Sequence, residues 1–389
     1  MIENPETLTR LLTCDDENCR IKRLQRDHQQ LPVRKTTTTM ELEETSRNMK
    51  KFMLILNCVV LAIGISCGPL VMRLYYLHGG KSIWLSSWLE TGGWPIMIVP
   101  LLVAYFRRRA VDRSCKPVFI TPLVALYAAL VGLVAGAGDY CYAYGVKHIP
   151  VSTSSLILAT QLAFTAGFAF ILVKQKFTAF TVNAVALLTF GAIVLALHVS
   201  SDKPEGESSG QYYLGFFFTL ASSALFAVML PLIELSYKKA RERVVDLNYS
   251  FVMEFQLVLS LSATAMCTVG MFASGDYKTY AQEIQEYKLG NAMFFVVLIS
   301  SAILWQCFYL GAAGVIHYGS SLLSGIIIAV ALPVTEIMAI IFYHEKFQVE
   351  KGVSLVLSLW GFLSYFYGEA KANKKRKKKS NLQLGSESV

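Results

Sequence analysis

Glu90 stands inside the run SSWLETGGWP. Ser87, Glu90, Thr91 and Trp94 recur there at i, i+3, i+4 and i+7 and share one helical face. The carboxyl lies about eight residues into an apolar segment, roughly 12 Å from its outer end if that segment is helical. An ionisable side chain at such depth costs about 2.5–3.5 kcal/mol on insertion scales, which makes it a functional candidate by default. A carboxylate, hydroxyls and indole on one face suit a small planar ligand that makes hydrogen bonds. A protonated Glu90 bonded to a neighbouring helix is the alternative. Trp84 reads as an interfacial belt residue, and Trp88 fits either that belt or the ligand face.

A second polar face runs through VSTSSLILATQLAFT, where Ser154, Gln161 and Thr165 align. The Gln161 amide offers donors and an acceptor, matching a heterocycle edge or an interhelical bond. In SFVMEFQ, Glu254 and Gln256 lie a turn or two from one end of an apolar segment. Glu254 is a second candidate proton carrier, or an acid that snorkels to the interface. Trp305 and Tyr309, one turn apart, form either a stacking wall or ordinary aromatic packing. Asn57 is a further polar candidate, and Asp139 and Glu336 are expected near the external ends of their spans.

Missing residue types narrow the chemistry. No Lys or Arg occupies the middle of a predicted span, Arg73 lying near the outer end of the first. Phosphorylated cargo calls for cations, so the expected cargo is neutral or weakly basic. Stacking a base on an aromatic ring contributes roughly 1–3 kcal/mol, enough for modest recognition beside a few hydrogen bonds. No metal-ligand cluster, nucleotide loop or nucleophile elbow appears, and His78, His148, His198, His317 and His344 fall at predicted ends or loops. An enzyme is therefore not expected, nor a metal or other cofactor. Cys14 and Cys19 have no matching second pair for zinc. Cys58, Cys67, Cys141, Cys267 and Cys307 lie in apolar spans as small hydrophobes.

The elements that must position these residues are membrane helices. The 389-residue chain is 54% hydrophobic and 16% charged, with mean hydropathy +0.46. Its charges crowd into both ends and short connectors. Ten segments are long and apolar enough to cross a bilayer: 52–76, 82–106, 119–144, 150–173, 179–199, 212–236, 247–273, 290–313, 319–343 and 350–368. Residues 1–50 have no apolar stretch near Met1, so the first span is expected to target the chain. With the N-terminus cytosolic, about 28 of the 36 basic residues fall inside and about 8 outside, which predicts both termini in the cytosol. The net charge of +9 thus flanks spans rather than forming a stripe for nucleic acid. The sequon at Asn248 falls on the cytosolic edge and is expected to carry no glycan.

Two halves resemble each other at an offset near 170. Lys176-Phe177 matches Lys346-Phe347, Gly191 matches Gly361, Leu162 matches Leu332 and Thr165 matches Thr335. Five spans per copy invert the second copy, an architecture of transporters that bind at the repeat interface. The expected fold is all-α: ten transmembrane helices in two inverted five-helix repeats. The expected organisation is a polar, disordered cytosolic segment 1–50, a first repeat 51–199, an external loop 200–211, a second repeat 212–369 and a basic tail 370–389.

Over residues 50–370 the sequence resembles the plant purine permease family of the drug/metabolite transporter superfamily. The resemblance is carried by PLVMRLYYLHGGKSIWLSSWLETGGWP (69–95), YGVKHIPVSTSSLILATQLAF (144–164), MEFQ (253–256), GMFASGDY (270–277), LWQCFYLGAAGVI (304–316) and WGFLSYFYGE (360–369). Glu345 fits the superfamily's acidic connector, whereas Gln175 departs from it in the first half. The resemblance implies proton-coupled import of purines, cytokinins or related alkaloids and vitamers by alternating access, most simply at the plasma membrane. The implied partners are a purine or cytokinin, protons and lipid, with the proton gradient as driving force. Glu90 is then the first choice for the proton carrier and Glu254 the second. The rival readings are a carrier of other small solutes and a membrane receptor that binds without transport.

Overall fold

The computed structural model describes residues 17–111, 118–174, 178–196, 208–242 and 248–344, and individual positions between 349 and 374. Among the described residues there is no strand. The helices are α1 (Glu17–Leu77), α2 (Ile83–Gly92), α3 (Pro95–Val111), α4 (Pro122–His148), α5 (Val151–Ala159), α6 (Gln161–Phe168), α7 (Ala179–Ala196), α8 (Ser209–Arg241), α9 (Tyr249–Ser274), α10 (Tyr280–Glu286), α11 (Asn291–Tyr318) and α12 (Ser321–Tyr343). Helices dominate because a bilayer offers no partner to an unpaired backbone group. Their starts follow local capping chemistry: Ser82 accepts from Leu85 N–H, Asn248 from Phe251 N–H and Ser320 from Leu323 N–H, at 3.0–3.1 Å.

Eight helical stretches, among the described residues, are long and apolar enough to cross a membrane. Large apolar side chains such as Val99, Val269, Phe272 and Ile341 point outward, each more than 60% exposed. Such an apolar exterior fits lipid rather than water. The chain is an integral membrane protein. The eight stretches coincide with eight predicted spans. For the other two, α7 covers Ala179–Ala196, and 350–368 is helical at its described positions.

The chain divides into two compact units, Met1–Met53 and Leu54–Val389. In the first, helix begins at Glu17, upstream of the predicted span and within the segment expected to be disordered. Residues 17–50 contain no glycine, and many are strong helix formers. Lys176-Phe177, Gln175, Glu345, Lys346-Phe347, Cys14, residues 200–207 and the tail beyond Lys374 lie outside the described residues.

Two predicted spans are broken helices. Segment 82–106 divides at Gly93–Trp94 into α2 and α3, with Pro95 starting the second piece. Gly93 sits so close to the Ala302 carbonyl of α11 that a side chain there has no room. Segment 150–173 divides at Thr160, whose hydroxyl bonds the Ile157 carbonyl at 2.6 Å and Ser223 Oγ at 2.9 Å. That segment closes on a π-turn at Ala169–Val173.

In the second unit α4 packs between α8 and α9, and α2 against α4, α9 and α11. Glycine permits the closest crossing: Gly132 abuts the Leu259 carbonyl, and a Cβ on Gly136 would lie 3.2 Å from the Ala263 carbonyl oxygen. Helix ends recur in pairs. After α4, Ile149 N–H bonds Gly145; after α11, Gly319 N–H bonds Val315. The stretches 151–173 and 321–343 follow, and each ends on a left-handed residue, Lys174 (φ 54°) and His344 (φ 52°).

Candidate functional site

Glu90 occupies the last turn of α2, immediately before the break, and is fully buried. Among the described residues, no N–H or O–H of the protein donates to either of its oxygens. Its neighbour Thr91 is tied on both sides. The Thr264 hydroxyl of α9 donates to Thr91 Oγ1 at 3.1 Å, and Gln306 Nε2 of α11 donates to the Thr91 carbonyl at 2.9 Å. Gln306 Nε2 also approaches Ser260 Oγ at 3.3 Å, which accepts from Gln256 Nε2 at 3.0 Å. The interrupted end of α2 is therefore pinned to α9 and α11 by side chains.

Facing Glu90 from α4 is Asp139, also fully buried, with the two carboxyls close neighbours. Tyr309 of α11 donates its hydroxyl to Asp139 Oδ1 at 2.5 Å. Asp139 was expected near an external end. It lies in the half of α4 that ends at His148, one turn beyond Gly136 at the close α4–α9 crossing, with its carboxyl beside that of Glu90. Tyr142, one turn further along α4, lies beside Ser154 of α5 and meets the Trp305 ring edge-on at 5.4 Å. Trp305 is buried, with its Nε1–H unpartnered and its ring 3.2 Å from where a Gly68 Cβ would stand.

Glu90, Thr91, Gln256, Trp305, Tyr309 and Ser154 thus join one buried layer. Gln161 and Thr165 are buried in α6, which packs on α8 and α12, with Gln161 Nε2 unpartnered. Trp94 is half-buried at the break itself. Trp88 leaves the layer, its Nε1–H bonding Thr268 at 3.1 Å, and Trp84 stacks on Tyr140 at 4.2 Å. Asn57 accepts from the Tyr249 hydroxyl at 2.9 Å and packs on Gly314. Glu254 Oε2 accepts the N–H groups of Phe119 and Ile120, at 2.7 and 2.9 Å, anchoring the approach to α4. Glu234 plays the same part for α12, accepting Ser321 N–H at 2.8 Å. These two acids carry structure, whereas Glu90 has no backbone to cap.

Residues 52–375 match a family described as purine nucleobase transmembrane transport. The chain belongs to that purine nucleobase transporter family. Purine permease 3 of Arabidopsis thaliana is 51% identical over 85% of this chain and 94% of its own length. Purine permease 2 of the same plant is 48% identical over 85% and 95%. A solved crystal structure shares the fold with a TM-score of 0.52 at 15% identity, covering 79% of this chain and 96% of its own. For a purine nucleobase transporter, the buried layer supplies acceptors, amides and rings, and among the described residues no Lys or Arg is buried. This family marks a carrier, not an enzyme.

Above the layer, the connector 77–82 and the segment around α10 hold each other. Tyr75 donates to buried Glu283 at 2.7 Å, Lys81 pairs with Glu286 at 2.9 Å, and Ser82 bonds Asp276 at 3.0 Å. Burial pushes the Glu283 carboxyl above its ordinary range, although the Tyr75 hydroxyl works against that. Bonding to Lys81 holds exposed Glu286 below it. Sequence reasoning named neither this clasp nor Gln306, whose signal was one amide in the apolar run LWQCFY.

Proposed function

We propose that the chain imports purine nucleobases and adenine-type cytokinins together with protons by alternating access. The observation that carries this reading is Glu90, buried and undonated at a helix break in a purine nucleobase transporter. Broken helices at a midplane site are the usual means by which carriers present polar groups within a bilayer. An adenine-type cytokinin keeps the purine ring, so amides and rings that recognise adenine also accommodate it. Glu90 takes a proton from outside and returns it inside. One inward charge is worth about 2.3 kcal/mol per 100 mV, against about 1.4 kcal/mol for tenfold accumulation, so one proton per cycle suffices.

The wider architecture is two inverted five-helix repeats, 51–199 and 212–369, with ten spans in all. It is supported by the equivalent ends at 149 and 319, 151 and 321, and 174 and 344, each pair 170 residues apart. Lys and Arg distribution supports cytosolic termini, and the membrane proposed is the plasma membrane, with the basic tail against anionic lipid. The driving force is the proton gradient, with no cofactor.

Labelled adenine uptake into proteoliposomes tests the proposal. Expected are accumulation on an inward proton gradient, competition by trans-zeatin but not by sugars, and loss of pH dependence in Glu90→Gln at normal yield. Full pH-dependent uptake by Glu90→Gln rejects the carrier role of this acid. Binding without uptake would make the protein a receptor.

A further inference from the structure

Glu90 and Asp139 lie 49 positions apart in sequence on separate helices, yet both are fully buried and their carboxyls are close neighbours. Asp139 has one oxygen satisfied, by Tyr309; its Oδ2, like both Glu90 oxygens, receives no N–H or O–H from the described residues. Two acceptor-only carboxylates cannot bond each other. A hydrogen bond between them requires a proton held by one of the two. The titratable groups facing the pair are Tyr76 of α1, Tyr142 of α4, Cys267 of α9 and Tyr309 of α11, with Cys141 beside Asp139. None of these is a cation, so in the dry, closed layer nothing among the described residues neutralises a second negative charge and the pair holds one proton. Only when water enters do both carboxylates ionise.

We propose that Glu90 and Asp139 form a single proton-binding unit in which Tyr309 holds Asp139 as the charged partner. This rests on the transport reading and adds Asp139 and Tyr309 to it. The unit takes one proton from external water on the carboxylate of Glu90, which then donates to Asp139 Oδ2. It releases that proton to the cytosol when the layer opens inward, returning to the starting state. Because α2, α4 and α11 each contribute one member, binding the proton joins three helices. Losing it sets like charges against each other.

The test compares wild type, Asp139→Asn, Asp139→Glu and Tyr309→Phe in proteoliposomes, each verified as monodisperse. Two readouts are needed: adenine exchange without a gradient, and adenine accumulation driven by a pH gradient. Expected for Asp139→Asn is loss of gradient-driven accumulation and of the pH dependence of exchange; Asp139→Glu restores both. Tyr309→Phe removes a bond to a charged acceptor, so the pH of half-maximal uptake shifts upward by about one unit. Asp139→Asn accumulating adenine like wild type overturns the shared-proton unit while leaving transport intact. An unchanged pH profile in Tyr309→Phe does the same if Asp139→Asn fails to fold. A wild type that moves no adenine in either readout rejects the transport reading itself.

Discussion

The acids of the spans divide by what their oxygens touch. Glu254 accepts two backbone N–H groups at the start of the α4 approach, so its loss leaves two donors without a partner. Glu254→Ala is expected to destabilise the protein by about 1–3 kcal/mol, read as a lowered melting temperature in detergent. The fraction that folds should keep the wild-type pH profile of uptake. A normal melting temperature with an altered profile would return Glu254 to the coupling machinery. The two acids looked alike in sequence because each is a carboxyl among apolar neighbours, and nothing in SFVMEFQ shows the Phe119 and Ile120 amides. Glu90 was legible because an acid and hydroxyls at helical spacing have few reasons to sit in an apolar run. Its pairing with Asp139 was not, since no local spacing encodes a contact between separate helices.

At the scale of elements, helix breaks and glycine crossings set the geometry. Gly136 lets α4 approach α9 and so carries Asp139 to Glu90. The clasp around α10 adds a pH-sensitive contact. A carboxyl raised by burial, as Glu283 is, binds its proton more tightly folded than unfolded. Glu283's contribution to the clasp is therefore greatest at acidic pH and declines as pH rises through the raised value. The exposed Glu286–Lys81 pair opposes it only as pH falls through the lowered Glu286 value. Hydrogen exchange over residues 276–290 is expected to be slower at acidic than at neutral pH after correction for the intrinsic rate. In Glu283→Gln that difference should disappear. Equal protection in wild type at both values would remove Glu283 as the cause. Gly92-Gly93-Trp94-Pro95 contains a legible break signal, which the length of the apolar run masked. The break at Thr160 carries no glycine or proline and depends on Ser223 of a distant helix.

For the whole molecule, membrane class and eight spans were readable because a bilayer imposes segment length and polarity directly. Extension of α1 to Glu17 was not, since charge and low hydropathy exclude a membrane span without excluding a helix. The proposed purine site is the layer where α2, α4, α9 and α11 meet, beside the proposed proton unit. The most direct measurement is a cryo-electron microscopy structure of the purified protein with adenine bound. Density for the ring within hydrogen-bonding distance of Glu90 or Gln306 and against Trp305 is the predicted result. Adenine bound elsewhere, such as the lipid-facing groove between Tyr127 of α4 and Lys239 of α8, with this layer unoccupied, would contradict it.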